Sequence, residues 1–408
     1  MLVNFTVGNY RSFKEKRTLS MEAANIKEFS DSLIEAPNNL SLLPIAALYG
    51  ANSSGKSNLI KALGVFTDLL RRSNSMSSTD EINAEPFLLS ESADPYTSPS
   101  YFEIEVITQN GNFYRYGFEV NRKSIVSEWL YKLSGSKETC LFVRENDSIG
   151  VTKDFPEGKG LEERTRNNAL FLSVCDSFNG VVAKELVADI CKCIVTSAVN
   201  HEFIYNATAP VVHQDPELYA DVVKETNAIL HQMDLGFSRY EIPENKELAK
   251  NIKAYTYHNL YNNKGKVVGE VRLSMKHEES EGTNKLFDMI TMILMSLKGG
   301  GLLVIDELDC KLHPILTAYI IKMFNDPKRN EAHGQLIFAT HDSNLLSAKC
   351  LRRDEIWFVE KDQQESSDLY SLVEFKDEDG VKVRNDRSFE KDYIKGRYGA
   401  IPYVNYNW

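Results

Sequence analysis

Eight consecutive residues have the types and the spacing of a phosphate-binding loop. The segment Gly50–Ser57 matches the pattern G-x-x-x-x-G-K-[ST], whose fixed positions are Gly50, Gly55, Lys56 and Ser57. The glycines let main-chain N–H groups approach an anion, the lysine reaches the β- and γ-phosphates, and the serine hydroxyl ligates Mg²⁺. The pattern therefore predicts binding of ATP with Mg²⁺. The other residues predicted to bind the nucleotide here are Asn52, Ser53 and Asn58.

Two neighbouring acids follow an apolar segment in the last third of the chain. Leu302–Ile305 has the composition of a buried strand, and Asp306 and Glu307 come directly after it. A carboxylate at the end of such a strand can make a second contact to Mg²⁺, which predicts metal binding by Asp306. A neighbouring carboxylate that is not needed as a ligand can orient and deprotonate the attacking water, so Glu307 is predicted to be the general base.

A histidine follows a third apolar segment. His341 comes shortly after Gln335–Ala339, at the carboxyl end of a predicted strand, which is where ligands bind in open α/β sheets. We expect His341 to hydrogen-bond the γ-phosphate. Together with Lys56 and Glu307 it makes up the predicted catalytic set.

The segment Glu279–Lys285 has the composition of a helix N-terminus. It precedes the predicted helix Leu286–Leu297, which Ser280 or Thr283 can cap. Gly282 would let a phosphate approach the positive end of that helix. Helix capping alone also explains this pattern, so the residues by themselves leave both interpretations open.

The strands and helices that must position these groups are predicted from periodicity. Ile45–Tyr49 predicts a strand before the loop, and Asn58–Arg71 predicts an amphipathic helix after it. Strand and helix then alternate in the last third, which predicts a parallel α/β sheet. The segments concerned are Leu302–Ile305, Pro314–Phe324, Gln335–Ala339, Asn344–Ala348 and Glu355–Val359.

Between the loop and the last third, the pattern changes twice. Tyr101–Thr108 and Phe113–Val120 flank an Asn-Gly pair, which predicts a β-hairpin. Ala183–Val199 and Pro216–Met233 have helical periodicity, and strands are predicted again at Lys253–Leu260 and Val267–Met275. We therefore predict an N-terminal lobe with the loop and the hairpin subdomain over 1–160, a mainly helical insert over 161–250, and a C-terminal lobe over 251–408.

The composition limits the class of protein. An apolar content of 42%, with no apolar stretch long enough to span a bilayer, predicts a soluble protein without a membrane segment. Six cysteines without a disulfide-like spacing, and an N-terminus unlike a signal peptide, predict a cytoplasmic location. A net charge of −11 argues against a surface built throughout for nucleic acid, although local basic clusters leave such binding open.

Taken in order, these motifs resemble the ABC-type ATPases of the SMC, RecF and OLD kind. Phe5–Phe13 is similar to the opening strand and turn of that group, and Gly50–Ser57 to its Walker A loop. Ser280–Thr283 resembles the signature, Leu302–Glu307 the Walker B strand, Leu308-Asp309 the D-loop, and His341 the switch histidine. The strings YGANSSGKSNL, ESEGTNKL, DELDCKLHP and ATHDSNLL resemble, more narrowly, the RloA/AbiLi-like ATP-binding proteins of bacterial abortive-infection systems.

This resemblance implies an α/β fold of the ABC-type ATPase head, with a mixed or parallel sheet, an antiparallel β subdomain and the helical insert. It also implies a head-to-tail homodimer, in which ATP lies between the Walker A loop of one copy and Ser280, Gly282 and Thr283 of the other. The implied function is a nucleotide-driven switch or scaffold in anti-phage defence that controls a separately encoded, nuclease-like effector. Larger assemblies are compatible with it, and no intrinsic nuclease domain is expected.

Other functions remain open on the sequence. A DNA-repair or SMC-like ATPase acting on DNA ends is the main alternative, and ATP hydrolysis stimulated by DNA would favour it. The ATPase subunit of a transporter is disfavoured because the signature has Ser-Glu-Gly-Thr in place of Ser-Gly-Gly-Gln. A nucleotide sensor with little turnover has the same sequence pattern as an active ATPase.

Overall fold

The computed structural model describes residues 1–91, 93–135, 137–197, 216–232, 236–241, 254–310, 312–347, 349–377, 380 and 382–402. The strands in this part of the chain are β1 (Leu2–Gly8), β2 (Arg17–Ser20), β3 (Ile34–Ala36), β4 (Leu40–Leu42), β5 (Ile45–Tyr49), β6 (Ser100–Ile107), β7 (Phe113–Val120), β8 (Ile125–Ser134), β9 (Lys137–Glu145), β10 (Ser148–Val151), β11 (Ile194–Ser197), β12 (Phe237–Glu241), β13 (Tyr255–Tyr261), β14 (Val267–Ser274), β15 (Leu302–Asp306), β16 (Gln335–Ala339), β17 (Ile356–Lys361) and β18 (Ser367–Ser371).

The α-helices of the described residues lie mainly in the second half of the chain. They are α1 (Lys56–Arg72), α2 (Phe171–Ser177), α3 (Val181–Ile190), α4 (Pro216–Gln232), α5 (Met275–Glu278), α6 (Glu281–Gly299), α7 (Pro314–Asn325) and α8 (Phe389–Ile394). None of them is both long enough and apolar enough to span a bilayer.

The central sheet has six strands in the order β11-β15-β16-β5-β17-β18. The pairs β11–β15, β15–β16, β16–β5 and β5–β17 are parallel, and β18 is an antiparallel edge strand. β5 and β16 are buried at every residue, as expected for parallel strands covered on both faces. The prediction of a parallel α/β sheet from the last third of the chain is confirmed.

A second sheet of seven strands, in the order β10-β9-β8-β7-β6-β1-β2, is antiparallel throughout. It contains the predicted hairpin β6–β7, in which Ile107 pairs with Phe113 across the Asn-Gly turn. α1 packs on this sheet through its apolar face, since the Phe66 ring stacks on Phe118 of β7 at 5.1 Å and meets Phe5 of β1 edge-on. Each such fully buried side chain contributes about 1.5–3 kcal/mol of stabilisation. The predicted combination of a parallel sheet and an antiparallel subdomain is confirmed.

The region between the two lobes differs in part from its prediction. The helix predicted over Ala183–Val199 ends at Ile190, and β11 follows as a parallel partner of β15. The β-branched residues Ile194, Val195 and Thr196 are suited to a strand, and the neighbouring strand supplies the pairing that periodicity cannot reveal. The prediction of a helix at 216–233 agrees with α4, which spans Pro216–Gln232.

Two smaller features complete the fold. β12, β13 and β14 form an antiparallel sheet that leads through α5 to the start of α6. The helix predicted at Asn344–Ala348 is instead a 3₁₀ turn, Ser343–Leu345, because the Asp342 carboxylate accepts a hydrogen bond from the Asn344 N–H and closes the chain locally.

The domain boundaries at 160 and 250 stay a proposal. β11, within the predicted insert, is a strand of the central sheet.

Candidate nucleotide site

Parallel pairing brings the predicted catalytic segments to one edge of the central sheet. Ile305 of β15 pairs with Phe338 of β16, and Ala339 pairs with Leu48 of β5. The residues that follow these strands therefore leave the sheet at the same edge. This edge collects the phosphate-binding loop, the Asp306-Glu307 pair and His341, the last of these from the strand between the other two.

The loop between β5 and α1 needs glycine at both of its fixed positions. A Cβ on Gly50 would lie 2.3 Å from the Val359 carbonyl oxygen. A Cβ on Gly55, whose φ is +120°, would lie 2.3 Å from the Ser367 hydroxyl. Ser53 has a φ of +65°, so the loop also turns through the left-handed region at a residue with a side chain. This tight path leaves Asn52 and Ser53 exposed and Ser57 and Asn58 half-buried.

Lys56 is buried at the start of α1 and points back into the loop. Its ammonium donates hydrogen bonds to the carbonyl oxygens of Gly50 (2.7 Å) and Ala51 (3.0 Å). Burial lowers the pKa of Lys56 to about 8, and the nearby charges of Asp306 and Glu307 oppose this shift. A desolvated ammonium held inside the loop attracts an incoming phosphate strongly, because little water screens its charge.

The acidic pair lies where β15 ends. Asp306 is partly buried, and its Oδ1 atom is buried without a hydrogen-bond partner among the described residues. Glu307 has a φ of +58°, a conformation that costs a non-glycine residue free energy and recurs at functional sites. β15 ends at Asp306, and the chain turns at Glu307. The Glu307 side chain therefore does not follow the alternating side-chain directions of the strand. A buried carboxylate oxygen of this kind is a suitable ligand for Mg²⁺.

His341 is held through its main chain. Its N–H lies 3.3 Å and 3.4 Å from the two carboxylate oxygens of Asp309. The pKa of His341 is lowered by burial and by the positive charge of Lys56, while Asp309 and the acidic pair oppose the shift. The lowered pKa favours the neutral imidazole at physiological pH.

The segment Ser280–Thr283 forms the N-terminus of α6. The Ser280 hydroxyl accepts a hydrogen bond from the Thr283 N–H at 3.0 Å, which is the predicted helix cap. Ser280 and Gly282 are exposed, and a Cβ on Gly282 would make only an ordinary contact, at 3.7 Å from the Ser280 hydroxyl. The hydrogen bonds described for Ser280 and Thr283 remain within this helix start. Lys56, Asp306, Glu307 and His341 come together at one edge of the central sheet. Ser280 and Thr283 lie instead at the start of α6 and form their hydrogen bonds there.

A hydrogen bond connects α6 with the sheet edge that carries the predicted site residues. The Lys285 ammonium, one turn into the helix, donates a hydrogen bond to the Cys310 carbonyl oxygen. Cys310 follows Asp309, whose carboxylate accepts from the His341 N–H. The start of α6 is thus connected through two hydrogen bonds to the histidine at the sheet edge.

Two residues at this site were not predicted from the sequence. Ser12 and Ser367 lie against the loop, with their hydroxyl oxygens 2.8 Å apart, and the Ser367 hydroxyl donates to the Ser54 carbonyl oxygen at 2.6 Å. Ser12 belongs to the N-terminal segment Phe5–Phe13, whose pattern could have indicated a role. Nothing in the sequence around Ser367 indicates a role, because it belongs to none of the motifs and is distant from the loop along the chain.

Replacing Gly55 with Ala is expected to weaken ATP binding at least about tenfold and to destabilise the fold by about 1–3 kcal/mol. The added Cβ would clash with the Ser367 hydroxyl, and the backbone of Gly55 has a conformation that disfavours residues with side chains. Thermal unfolding and an equilibrium titration with ATP measure both effects. Gly64→Ala is the matched control, because its Cβ would lie 3.7 Å from Val195 inside a helix, where alanine is favourable. Equal behaviour of the two variants would contradict the prediction.

Solved structures with similarity to the chain include two SMC head domains and the RecF protein. The SMC head domain from Thermotoga maritima is 16% identical, with 91% of this chain and 98% of that chain covered and a TM-score of 0.40. An Smc head bound to the C-winged helix domain of ScpA is 13% identical, with 91% and 97% covered and a TM-score of 0.46. The recombination mediator protein RecF is 14% identical, with 90% and 98% covered and a TM-score of 0.38. No curated protein sequence matches the chain.

A protein-family match covers most of the chain. It extends over residues 45–347, and so includes the phosphate-binding loop, the start of α6, the acidic pair and His341. The narrower resemblance to RloA/AbiLi-like proteins stays a prediction. The chain belongs to the family described as "AAA domain, putative AbiEii toxin, Type IV TA system".

Proposed function

We propose that the chain is a Mg²⁺-dependent ATPase. The observation that carries this proposal is the convergence of a buried lysine, two acids and a histidine at one edge of the central sheet, beside a loop that excludes side chains at Gly50 and Gly55. Membership of an AAA-domain family supports it.

Each group has a definite role in the proposal. Lys56 binds the β- and γ-phosphates, and the N–H groups of the loop and of the first turn of α1 bind phosphate oxygens. Glu307 holds the attacking water and accepts its proton, and the neutral His341 hydrogen-bonds the γ-phosphate. Ser57 and Asp306 would hold Mg²⁺, for which the unpartnered Oδ1 of Asp306 is a fitting ligand. The metal ion would supply charge compensation for the phosphates.

We further propose that a complete site requires a second copy of the chain. Ser280 and Gly282 are exposed at the N-terminus of a 19-residue helix, which carries a partial positive charge. In a head-to-tail dimer, this helix start of one copy covers the triphosphate bound to the loop of the other. The Lys285–Cys310 contact then connects the partner-facing helix with the histidine of its own site.

A mixing experiment tests the composite site. Lys56→Ala removes the loop function, and Gly282→Asp places a negative charge at the start of α6, where it suits the helix but repels phosphate. Each variant alone should hydrolyse ATP at a small fraction of the wild-type rate. An equimolar mixture should recover about a quarter of the wild-type rate per chain, because half of the randomly formed two-site dimers are mixed and each mixed dimer has one intact site.

The specific rate of the wild-type protein should also rise with protein concentration until dimers saturate. Absence of recovery in the mixture, together with a rate that does not depend on concentration, would show that each chain works alone. Lys61→Ala mixed with Gly282→Asp is the comparison mixture, since Lys61 is exposed on α1 away from the loop and its variant keeps both halves of the site. It should give about half of the wild-type rate per chain, because a quarter of the dimers have two intact sites and half have one.

For the biological role, we propose a nucleotide-driven switch in bacterial anti-phage defence that controls a separate, nuclease-like effector. The family description, which names a toxin of a type IV toxin–antitoxin system, supports a role of this class. In the proposal, ATP-dependent pairing of two copies changes the surface that the effector contacts. A DNA-repair ATPase stays the alternative.

A further inference from the structure

The phosphate-binding loop is fastened from outside by a chain of side-chain hydrogen bonds. The Asn58 amide in the first turn of α1 donates to the Ser12 hydroxyl at 2.8 Å. The hydroxyl oxygens of Ser12 and Ser367 are 2.8 Å apart, and the Ser367 hydroxyl lies 2.6 Å from the Ser54 carbonyl oxygen. Ser12, Ser54 and Ser367 are all buried.

The donors in this group of hydrogen bonds are the Asn58 amide and the Ser367 hydroxyl. A carbonyl oxygen only accepts, so the Ser367 hydroxyl donates to Ser54, and the Ser12 hydroxyl oxygen is a second acceptor within reach of the same donor. The Ser12 oxygen also accepts from the Asn58 amide. Ser12 therefore connects the first turn of α1 with Ser367, and Ser367 connects Ser12 with the loop.

Further contacts hold the two serine segments together. The Ser367 N–H donates to the Ser12 carbonyl oxygen at 2.7 Å. Arg17 of β2 forms an ion pair with Asp368 of β18, next to Ser367. Ser12 lies in the turn between β1 and β2, and Ser367 is the first residue of β18, so the two serines come from segments next to different sheets.

The hydrogen bond to Ser54 fixes the orientation of a loop N–H group. The peptide unit between Ser54 and Gly55 is planar and trans, so its carbonyl and its N–H point in opposite directions. When the carbonyl is held towards Ser367, the Gly55 N–H is held away from it. Gly55 must lack a side chain for this arrangement, since a Cβ there would lie 2.3 Å from the Ser367 hydroxyl and 2.9 Å from that of Ser12.

We propose that Ser12 and Ser367 are positioning residues for triphosphate binding: their hydroxyl chain orients the Ser54–Gly55 peptide so that the loop is arranged for phosphate before the nucleotide arrives. This inference rests on the proposed ATP binding at the loop. Preorganisation of a binding loop improves affinity by lowering the ordering cost of binding. Removal of the chain should therefore raise the dissociation constant and the KM for ATP, with little change in kcat.

The test uses Ser367→Ala, Ser12→Ala and the double variant in the full chain. Binding is measured with a non-hydrolysable ATP analogue and Mg²⁺, turnover by phosphate release, and stability by thermal unfolding. Each single variant is expected to raise the dissociation constant about tenfold. The double variant should be hardly weaker than either single variant, because both remove the same chain. Ser367→Cys, which keeps a weak donor of similar size, should recover part of the affinity and serves if the alanine variant does not fold.

Ser173→Ala is the matched control. The Ser173 hydroxyl is also buried and also donates to a main-chain carbonyl of α1, that of Leu70 at the opposite end of the helix. It should lower the unfolding temperature to a similar degree and leave the affinity for the analogue unchanged. A similar loss of affinity in Ser173→Ala would show that Ser12 and Ser367 affect binding only through the stability of the fold. That result would overturn the proposal.

Unchanged affinity in folded Ser367→Ala and Ser12→Ala would also overturn it. Failure of the wild-type chain to bind the analogue is a different result, because it removes the proposed ATP site itself. Additive losses in the double variant would contradict the single chain of hydrogen bonds.

Discussion

Glu307→Gln is expected to abolish ATP turnover while leaving ATP binding intact. The substitution keeps the size of the side chain and removes the carboxylate that takes the proton from the attacking water, a contribution of about 10²–10⁴ in rate. Glu307 follows directly after β15, which ends at Asp306, and its left-handed backbone conformation turns the chain away from the direction of the strand. Steady-state phosphate release measures turnover, and equilibrium titration with ATP measures binding.

The same variant should accumulate the ATP-bound dimer, because closure without hydrolysis leaves the nucleotide between the two copies. Size-exclusion chromatography with ATP and Mg²⁺ should then show a dimer that the wild-type protein forms only transiently. Glu331→Gln is the matched control, since Glu331 is an exposed acid before β16, at the opposite end of the sheet. Normal turnover in Glu307→Gln would refute the assignment of the general base.

Lys56→Ala is expected to lower the affinity for ATP by about a hundredfold or more, since hydrogen bonds to charged groups contribute about 1.5–3 kcal/mol each and Lys56 has more than one donor for phosphate oxygens. The buried ammonium, which donates to the Gly50 and Ala51 carbonyl oxygens, is also the main positive charge inside the loop. Calorimetric titration with a non-hydrolysable ATP analogue and Mg²⁺ measures the loss.

Lys61→Ala provides the comparison for Lys56→Ala. Lys61 lies one turn further along α1 and is exposed, so its removal changes the charge of the helix by the same amount without entering the loop. We expect its affinity to be that of the wild-type protein. Tight binding by Lys56→Ala would mean that the nucleotide binds elsewhere on the chain.

The sequence alone predicted those structures that are formed by residues close together along the chain. The glycines and the lysine of Gly50–Ser57 are close in sequence and take their conformation from a single turn, so the pattern alone predicts the loop. The apolar runs Ile45–Tyr49, Leu302–Ile305 and Gln335–Ala339 correspond to β5, β15 and β16. Fully buried parallel strands leave such continuous apolar segments because both of their faces are covered.

Sequence alone was weaker where neighbours along the chain do not decide the structure. The segment 194–197 has a period compatible with helix, and only its pairing with β15 makes it a strand. Likewise, the residues of Ser280–Thr283 fit both a simple cap and a phosphate contact. The structure confirms the cap, and the contact with a second copy stays a proposal.

The loop that the sequence predicts so clearly is held by two serines that the pattern of the loop itself does not reveal. Ser12 and Ser367 are separated by 355 positions, yet their hydroxyls form one hydrogen-bonded chain against the loop. Similarly, the proximity of Lys56, Asp306 and His341 depends on the order and register of three parallel strands. The sequence by itself therefore predicted which residues would bind and hydrolyse a triphosphate. Only the tertiary structure decided what positions them, because hydrogen bonds between distant segments depend on sheet pairing and leave no local pattern in the chain.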